Sequence, residues 1–193
     1  MKNLSAKFVL KVAGTLTAIA LVVAALLGLV NSVTEDRIAE LNFAATKAAL
    51  AAVTPEGSEY EALEISEEAL AAAKAQGGTL NELYKVSTGG YACKVSASGS
   101  QGTIVMIVGV DAESKISGIS IVENAETSGI GSKVMTNMPN AAGVPVLDQF
   151  IGMTGAGTLE VGKNVTAVTG ATVSTKGVTM GANAALAAVA TLG

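Results

Sequence analysis

The chain has 193 residues with 12 basic and 16 acidic side chains, a net charge of −4, no histidine, no tryptophan and one cysteine, Cys93. Without histidine there is no Ser-His-Asp triad, no Cys-His dyad and no His-ligated zinc, and a lone cysteine excludes CxxC redox chemistry, zinc knuckles and an intrachain disulfide. Any redox chemistry must therefore use a borrowed cofactor.

The mean hydropathy of +0.51 is too high for an ordinary soluble chain of this length and points to a membrane segment. Residues 12–33 supply one: 22 positions without a charge, rich in Leu, Val, Ala and Ile. At about 1.5 Å per residue they span roughly 33 Å, enough for one helical crossing of a bilayer core of about 30 Å. Lys2, Lys7 and Lys11 precede the span without an acid among them, and Glu35, Asp36, Arg37 and Glu40 follow it. The positive-inside rule then predicts a single-pass protein of the cell membrane, with a cytoplasmic N-terminus and everything after Val33 extracytoplasmic. The rival reading is a cleaved signal peptide, whose apolar run is shorter, about 7–15 residues. Beyond the span, 9 basic residues face 16 acidic ones, a net −7 that excludes nucleic acid and anionic lipid surfaces as partners of the exported part.

Thr34 followed by Glu35 and Asp36 has the form of a helix N-cap with acids in the first turn, and Ile38, Leu41, Ala45 and Ala48 recur at helical spacing toward Pro55. The membrane helix is thus expected to continue outward as a stalk. Residues 55–65 are acidic and signal no element, and the acidic run over 56–68 reads as a solvated face. Residues 66–76 read as a short Ala-rich helix halted by Gly77 and Gly78. Runs at 83–87, 90–97, 103–110 and 115–123 are rich in strand formers and separated by turn signals, the pattern of an antiparallel meander with the nearly all-apolar 103–110 at its centre. A short helix is expected at 132–137, a loop at 140–145, a packed segment at 147–150 and a further strand at 161–168. From Ser174 to Leu192 an Ala-rich helix places Val178, Ala182, Ala185, Leu186 and Val189 on one face. The fold class is α+β: an N-terminal transmembrane helix, then an antiparallel sheet with packed helices. The organisation predicted is a cytoplasmic N-terminus and membrane helix over 1–33, a helical stalk or linker over 34–78 and a folded domain over 79–193. Cys93 reads as a buried strand residue.

Two segments could carry chemistry. Thr169-Gly170-Ala171-Thr172-Val173-Ser174-Thr175 stands where a strand is expected to end and the last helix to begin. Such a junction makes an anion site: backbone N–H groups at Ser174, Thr175 and Lys176 would be unpaired, the helix dipole favours negative charge, and Gly170 and Ala171 permit close approach. A plain Ser/Thr helix cap accounts for the same residues. The second segment runs from Glu126 and Thr127 through Gly129, Ile130 and Gly131 to Lys133. Two glycines bracketing an exposed Ile130 could form a backbone-lined platform for a flat ligand, although an ordinary surface loop has this composition too.

In this order and spacing the segments resemble the covalent FMN-binding domain family. The resemblance runs from about residue 84 onward and rests on Gly90-Tyr91, the strands at 102–110 and 115–123, the Glu-Thr-x-Gly-x-Gly loop, Asp148-Gln149-Phe150 and Thr-Gly-Ala-Thr. It implies that an extracytoplasmic flavin transferase splits FAD and attaches FMN by a phosphodiester to the last Thr of [ST]-G-A-T, here Thr172. Thr169, Gly170, Ala171, Val173, Ser174 and Thr175 would surround the attachment, and Glu126, Thr127, Gly129 and Ile130 would line the isoalloxazine. The chain departs from the family pattern at Thr166, where an Asp usually stands three residues before the Ser/Thr.

The single anchor and short chain are most similar to the G subunits of Rnf complexes, the ion-translocating ferredoxin:NAD⁺ oxidoreductases. The alternatives are the C subunit of the sodium-translocating NADH:quinone reductase and an unmodified assembly or ligand-binding membrane subunit. The partners so implied are other membrane subunits of an electron transport complex, with the chain relaying electrons without turnover of its own. No metal ligands and no catalytic side chains are expected.

Overall fold

The structure is a computed structural model that describes residues 6–192; Lys2, one of the lysines behind the expected orientation, lies outside them. The chain divides into two compact units, one up to Ala44 and one from Ala45 onward.

Among the described residues, the first unit is helical from Ala6 onward. Helix α1 runs from Ala6 to Val53, and its portion Lys7–Glu35 is long and apolar enough to cross a membrane, with none of its apolar window buried. Phe8, Leu10, Leu16, Leu21, Leu27 and Leu29 are all more than half exposed, as expected for side chains that face lipid. Thr34 does not start a new helix. Its hydroxyl donates to Val30 O at 2.9 Å, the back-bond of a Thr inside a continuing helix, and no Gly or Pro interrupts the ladder there.

The second unit opens with the last turns of α1 and continues through β1 (Tyr60–Leu63), α2 (Glu67–Ala75), β2 (Gly78–Val86), β3 (Tyr91–Ser98), β4 (Thr103–Val110), β5 (Ile116–Asn124), α3 (Ser132–Met135), a 3-10 turn at Asp148–Phe150 and α4 (Thr172–Ala190). The five strands form one antiparallel meander in the order β1-β2-β3-β4-β5. Strand β1 arises within the acidic stretch in which periodicity signals nothing: only four residues long, it depends on its ladder with β2, Tyr60 opposite Val86 and Leu63 opposite Leu83. Ser66 caps α2, its hydroxyl accepting from the Ala69 amide at 3.2 Å.

Central position belongs to β3, not to β4. The apolar run of β4 has another cause, since both of its faces are covered. Ile104, Met106, Val108 and Val110 enter the main core with α4 and α2, whereas Ile107 packs on the opposite face with Ala49, Leu50 and Val53 from the end of α1. A strand buried on both sides loses its alternation.

The expected strand at 161–168 is also absent. The amides of Lys163, Asn164 and Val165 all converge on Glu160 O, and Gly162 N donates back to Val165 O at 2.9 Å. The Gly162-Lys163-Asn164 turn folds this segment on itself and leaves a single bridge, Val161 to Val165. Helix α4 lies across the sheet with Val178, Ala182, Ala185, Leu186 and Val189 buried, as the helical pattern requires. Cys93 is buried in β3, and burial pushes its thiol up to about 12, so it stays a neutral packing group.

Candidate functional site

Helix α4 starts two residues earlier than the sequence suggests. Gly170, at φ +83, turns the chain, Ala171 takes the N-cap position, and Thr172 is the first helical residue. The first helical bond runs from Thr175 N to Ala171 O at 2.9 Å. The amides without a helical acceptor are therefore those of Thr172, Val173 and Ser174, ahead of the trio expected. No side chain caps this end. The plain Ser/Thr cap is thus not made, and the dipole's positive end stays available at Thr172.

The four hydroxyls of 169–175 have different fates. Thr175 is fully buried and donates to Ala171 O at 3.0 Å. Ser174 is buried and donates to the Glu126 carboxylate. Thr169 and Thr172 are exposed.

Glu126 binds the second segment to the first. Its Oε2 accepts the Ser174 hydroxyl, and its Oε1 accepts the Ser100 amide at 2.7 Å and the Gln101 amide at 3.2 Å, both from the β3–β4 turn. Burial by itself would raise this carboxyl, but the Ser174 hydroxyl and the Gln101 and Ser100 amides outweigh burial and hold it below the ordinary value of 4.5. Two glycines make the room: a Cβ on Gly131 would stand 2.3 Å from Glu126 Oε2, and one on Gly99 2.3 Å from Oε1. Any other residue at either place would push the carboxylate out of its seat.

Together these segments wall a groove of about 180 Å³. Ser100, Glu126, Thr127, Ile130, Thr172 and Val173 line it, and Ile130 and Val173 are 52% and 54% exposed. An exposed hydroxyl at a helix N-terminus, beside two exposed apolar side chains, fits a group with a phosphate at one end and a flat ring at the other. Of the expected site residues, Glu126, Thr127, Ile130, Gly170, Ala171, Thr172, Val173 and Ser174 meet at this groove; Gly129, Thr169 and Thr175 do not line it. Ser100 and Gln101 escape sequence reasoning, because a Ser-Gly-Ser-Gln-Gly run signals a turn and nothing about where its amides point.

A second groove of about 440 Å³ opens on the other side of Thr172, lined by Val161, Val165, Thr166, Ala167 and Lys176. Its loop is held by Gln149, whose Nε2 donates to Thr166 O at 3.0 Å and whose Oε1 accepts the Thr166 amide at 2.8 Å. This side-chain amide takes the place of a missing strand partner.

The chain matches the FMN-binding domain family over residues 99–187 and the RnfG N-terminal region over residues 1–53. It is 32% identical to the G subunit of the Na(+)-translocating ferredoxin:NAD(+) oxidoreductase complex of Acetobacterium woodii, over 92% of this chain and 89% of that one. It is 29% identical to the G subunit of the ion-translocating oxidoreductase complex of Methanosarcina acetivorans, over 89% of each. A helix with the makings of a membrane span, an FMN-binding domain and these relatives together place the chain in the family of Rnf complex G subunits.

Proposed function

We propose that Thr172 carries FMN through a phosphodiester, and that the chain serves as an electron-carrying subunit of a membrane-bound, ion-translocating ferredoxin:NAD⁺ oxidoreductase. The observation that carries this reading is the sorting of hydroxyls in Thr-Gly-Ala-Thr and the residues after it: Ser174 and Thr175 are buried and engaged, whereas Thr172 is exposed at the open N-terminus of α4 and lines the groove. Attachment by a flavin transferase converts the Thr172 hydroxyl into an ester. The hydroxyl proton is lost, the threonine oxygen bonds to phosphorus of the FMN half of FAD, and AMP departs. When attached, the flavin supplies the electron transfer that no side chain of this chain can perform. The free amides of Thr172, Val173 and Ser174 favour the single negative charge left on the phosphodiester, and Ile130 and Val173 offer apolar cover to the ring.

The membrane helix and the relatives support the rest of the reading. Residues 12–33 cross the membrane once with the N-terminus cytoplasmic, and the FMN domain lies outside, where a covalent tether keeps the flavin from diffusing away. Other membrane subunits of the complex are its partners. The test is tryptic mass spectrometry of the Thr172 peptide from protein made together with a flavin transferase. A mass increase of about 438 Da, that of FMN less water, is expected on that peptide. In Thr172→Ala the protein should fold and be colourless; in-gel flavin fluorescence persisting in that variant would defeat the assignment.

A further inference from the structure

Thr172 sits on the ridge between two grooves of opposite electrical character. On one side lies the Glu126 carboxylate, ionised and already braced by Ser174, Ser100 and Gln101. On the other side lies Lys176, one helical turn beyond Thr172 and on the same face of α4, where residues four apart hold their Cβ atoms about 5–6 Å from each other. Lys163 also lines that groove but is paired with Glu160, whereas Lys176 enters none of the ion pairs among the described residues.

We infer that Lys176 is the positioning cation for the phosphoryl group on Thr172, drawing it into the groove lined by Val161, Val165, Thr166 and Ala167 and so sending the ring toward Ile130. The inference rests on the covalent reading above and deepens it. The physical reason is charge separation. A phosphodiester anion on the Glu126 side would confront a second anion, whereas on the Lys176 side it meets a cation and remains at the positive end of the helix dipole. Nothing else then competes for the Glu126 groove, whose exposed apolar residues stay free for the ring. Lys176 touches no reacting atom; it acts through the phosphate.

The experiment compares full-length protein in detergent, made with and without a flavin transferase, by lysine acetylation footprinting with mass spectrometry. With flavin attached, acetylation of Lys176 should slow by severalfold, while the exposed Lys85, which lines neither groove, should react alike in both forms. A second readout separates charge from mere shielding by the ring: the ³¹P resonance of the bound phosphodiester should move in Lys176→Gln and return toward its wild-type position in Lys176→Arg. Equal Lys176 acetylation in both forms, or a ³¹P resonance indifferent to both variants, overturns the inference and leaves the Thr172 attachment standing. Absence of the added flavin mass overturns both.

Discussion

The Ser174 hydroxyl donates to the Glu126 carboxylate, joining residues 48 apart in the chain. This bond fastens the loop after β5 to the first turn of α4, and the Ser100 and Gln101 amides add the β3–β4 turn to the same carboxylate. All three segments that wall the groove thus meet on one acid.

Acid should loosen that junction. The Glu126 carboxyl is held below its ordinary value in the folded chain, so the stability its hydrogen bonds contribute is complete above pH 4.5 and is lost as pH falls through the lower folded value. Thermal melts of the wild type should therefore drop on the acid side of pH 4.5, and Glu126→Gln should flatten that limb. An acid limb of equal slope in both proteins would show that the junction is held by something else.

Thr175→Ala separates structure from attachment. Removing a buried hydroxyl that bonds Ala171 O should cost about 1–2 kcal/mol in denaturant unfolding. Flavin fluorescence in gels should nevertheless persist, because the ester oxygen belongs to Thr172. A stable but colourless Thr175→Ala protein would move the attachment point.

The end of α1 is seated on the outer face of the sheet by close backbone approach. Val53 O accepts the Ser117 hydroxyl at 2.6 Å, and a Cβ on Gly109 would come within 2.5 Å of Val53 O and 2.3 Å of Ser117 Oγ. Gly109→Ala must therefore push the last turn of α1 off the sheet, at a cost of about 1–3 kcal/mol in unfolding free energy. Ser117→Ala, which removes the hydroxyl without adding a clash, should cost only about 1 kcal/mol. Melting temperatures ranked the other way would refute this account of the seat.

The subunit on its own should accept electrons without turning over a nicotinamide. No histidine or cysteine pair is present, and no GxGxxG follows a strand to cradle a dinucleotide. Flavin-bearing full-length protein in detergent should be bleached by dithionite and oxidise NADH at a negligible rate. Rapid NADH oxidation by the isolated subunit would instead point to a free-standing reductase.

Much of this protein is legible in one dimension because its signals are local. An uninterrupted apolar run declares a helix fit for a membrane, and turn residues at short intervals declare the meander of β2 to β5. An Ala-rich run halted by Gly77 and Gly78 declares α2, and Thr-Gly-Ala-Thr together with the Glu-Thr-x-Gly-x-Gly loop declares the flavin family. What sequence alone could not decide are the features set by contacts between distant segments. Strand β1 forms because β2 offers an edge to pair with, and β4 is apolar on both faces because α4 covers one and the end of α1 the other. Residues 161–168 have strand-like composition but fold back on Glu160, and the side-chain amide of Gln149 replaces the neighbouring strand. The same holds at the site. Composition alone cannot rank the four hydroxyls of residues 169–175, and the family resemblance that singles out Thr172 gives no geometry. Burial against Glu126 and under Ala171 commits Ser174 and Thr175, and of the two exposed hydroxyls, those of Thr169 and Thr172, Thr172 alone lines the grooves. Local propensity is written along the chain, but burial and hydrogen-bond partnership come from segments far away in sequence, and they exist only once the chain has folded.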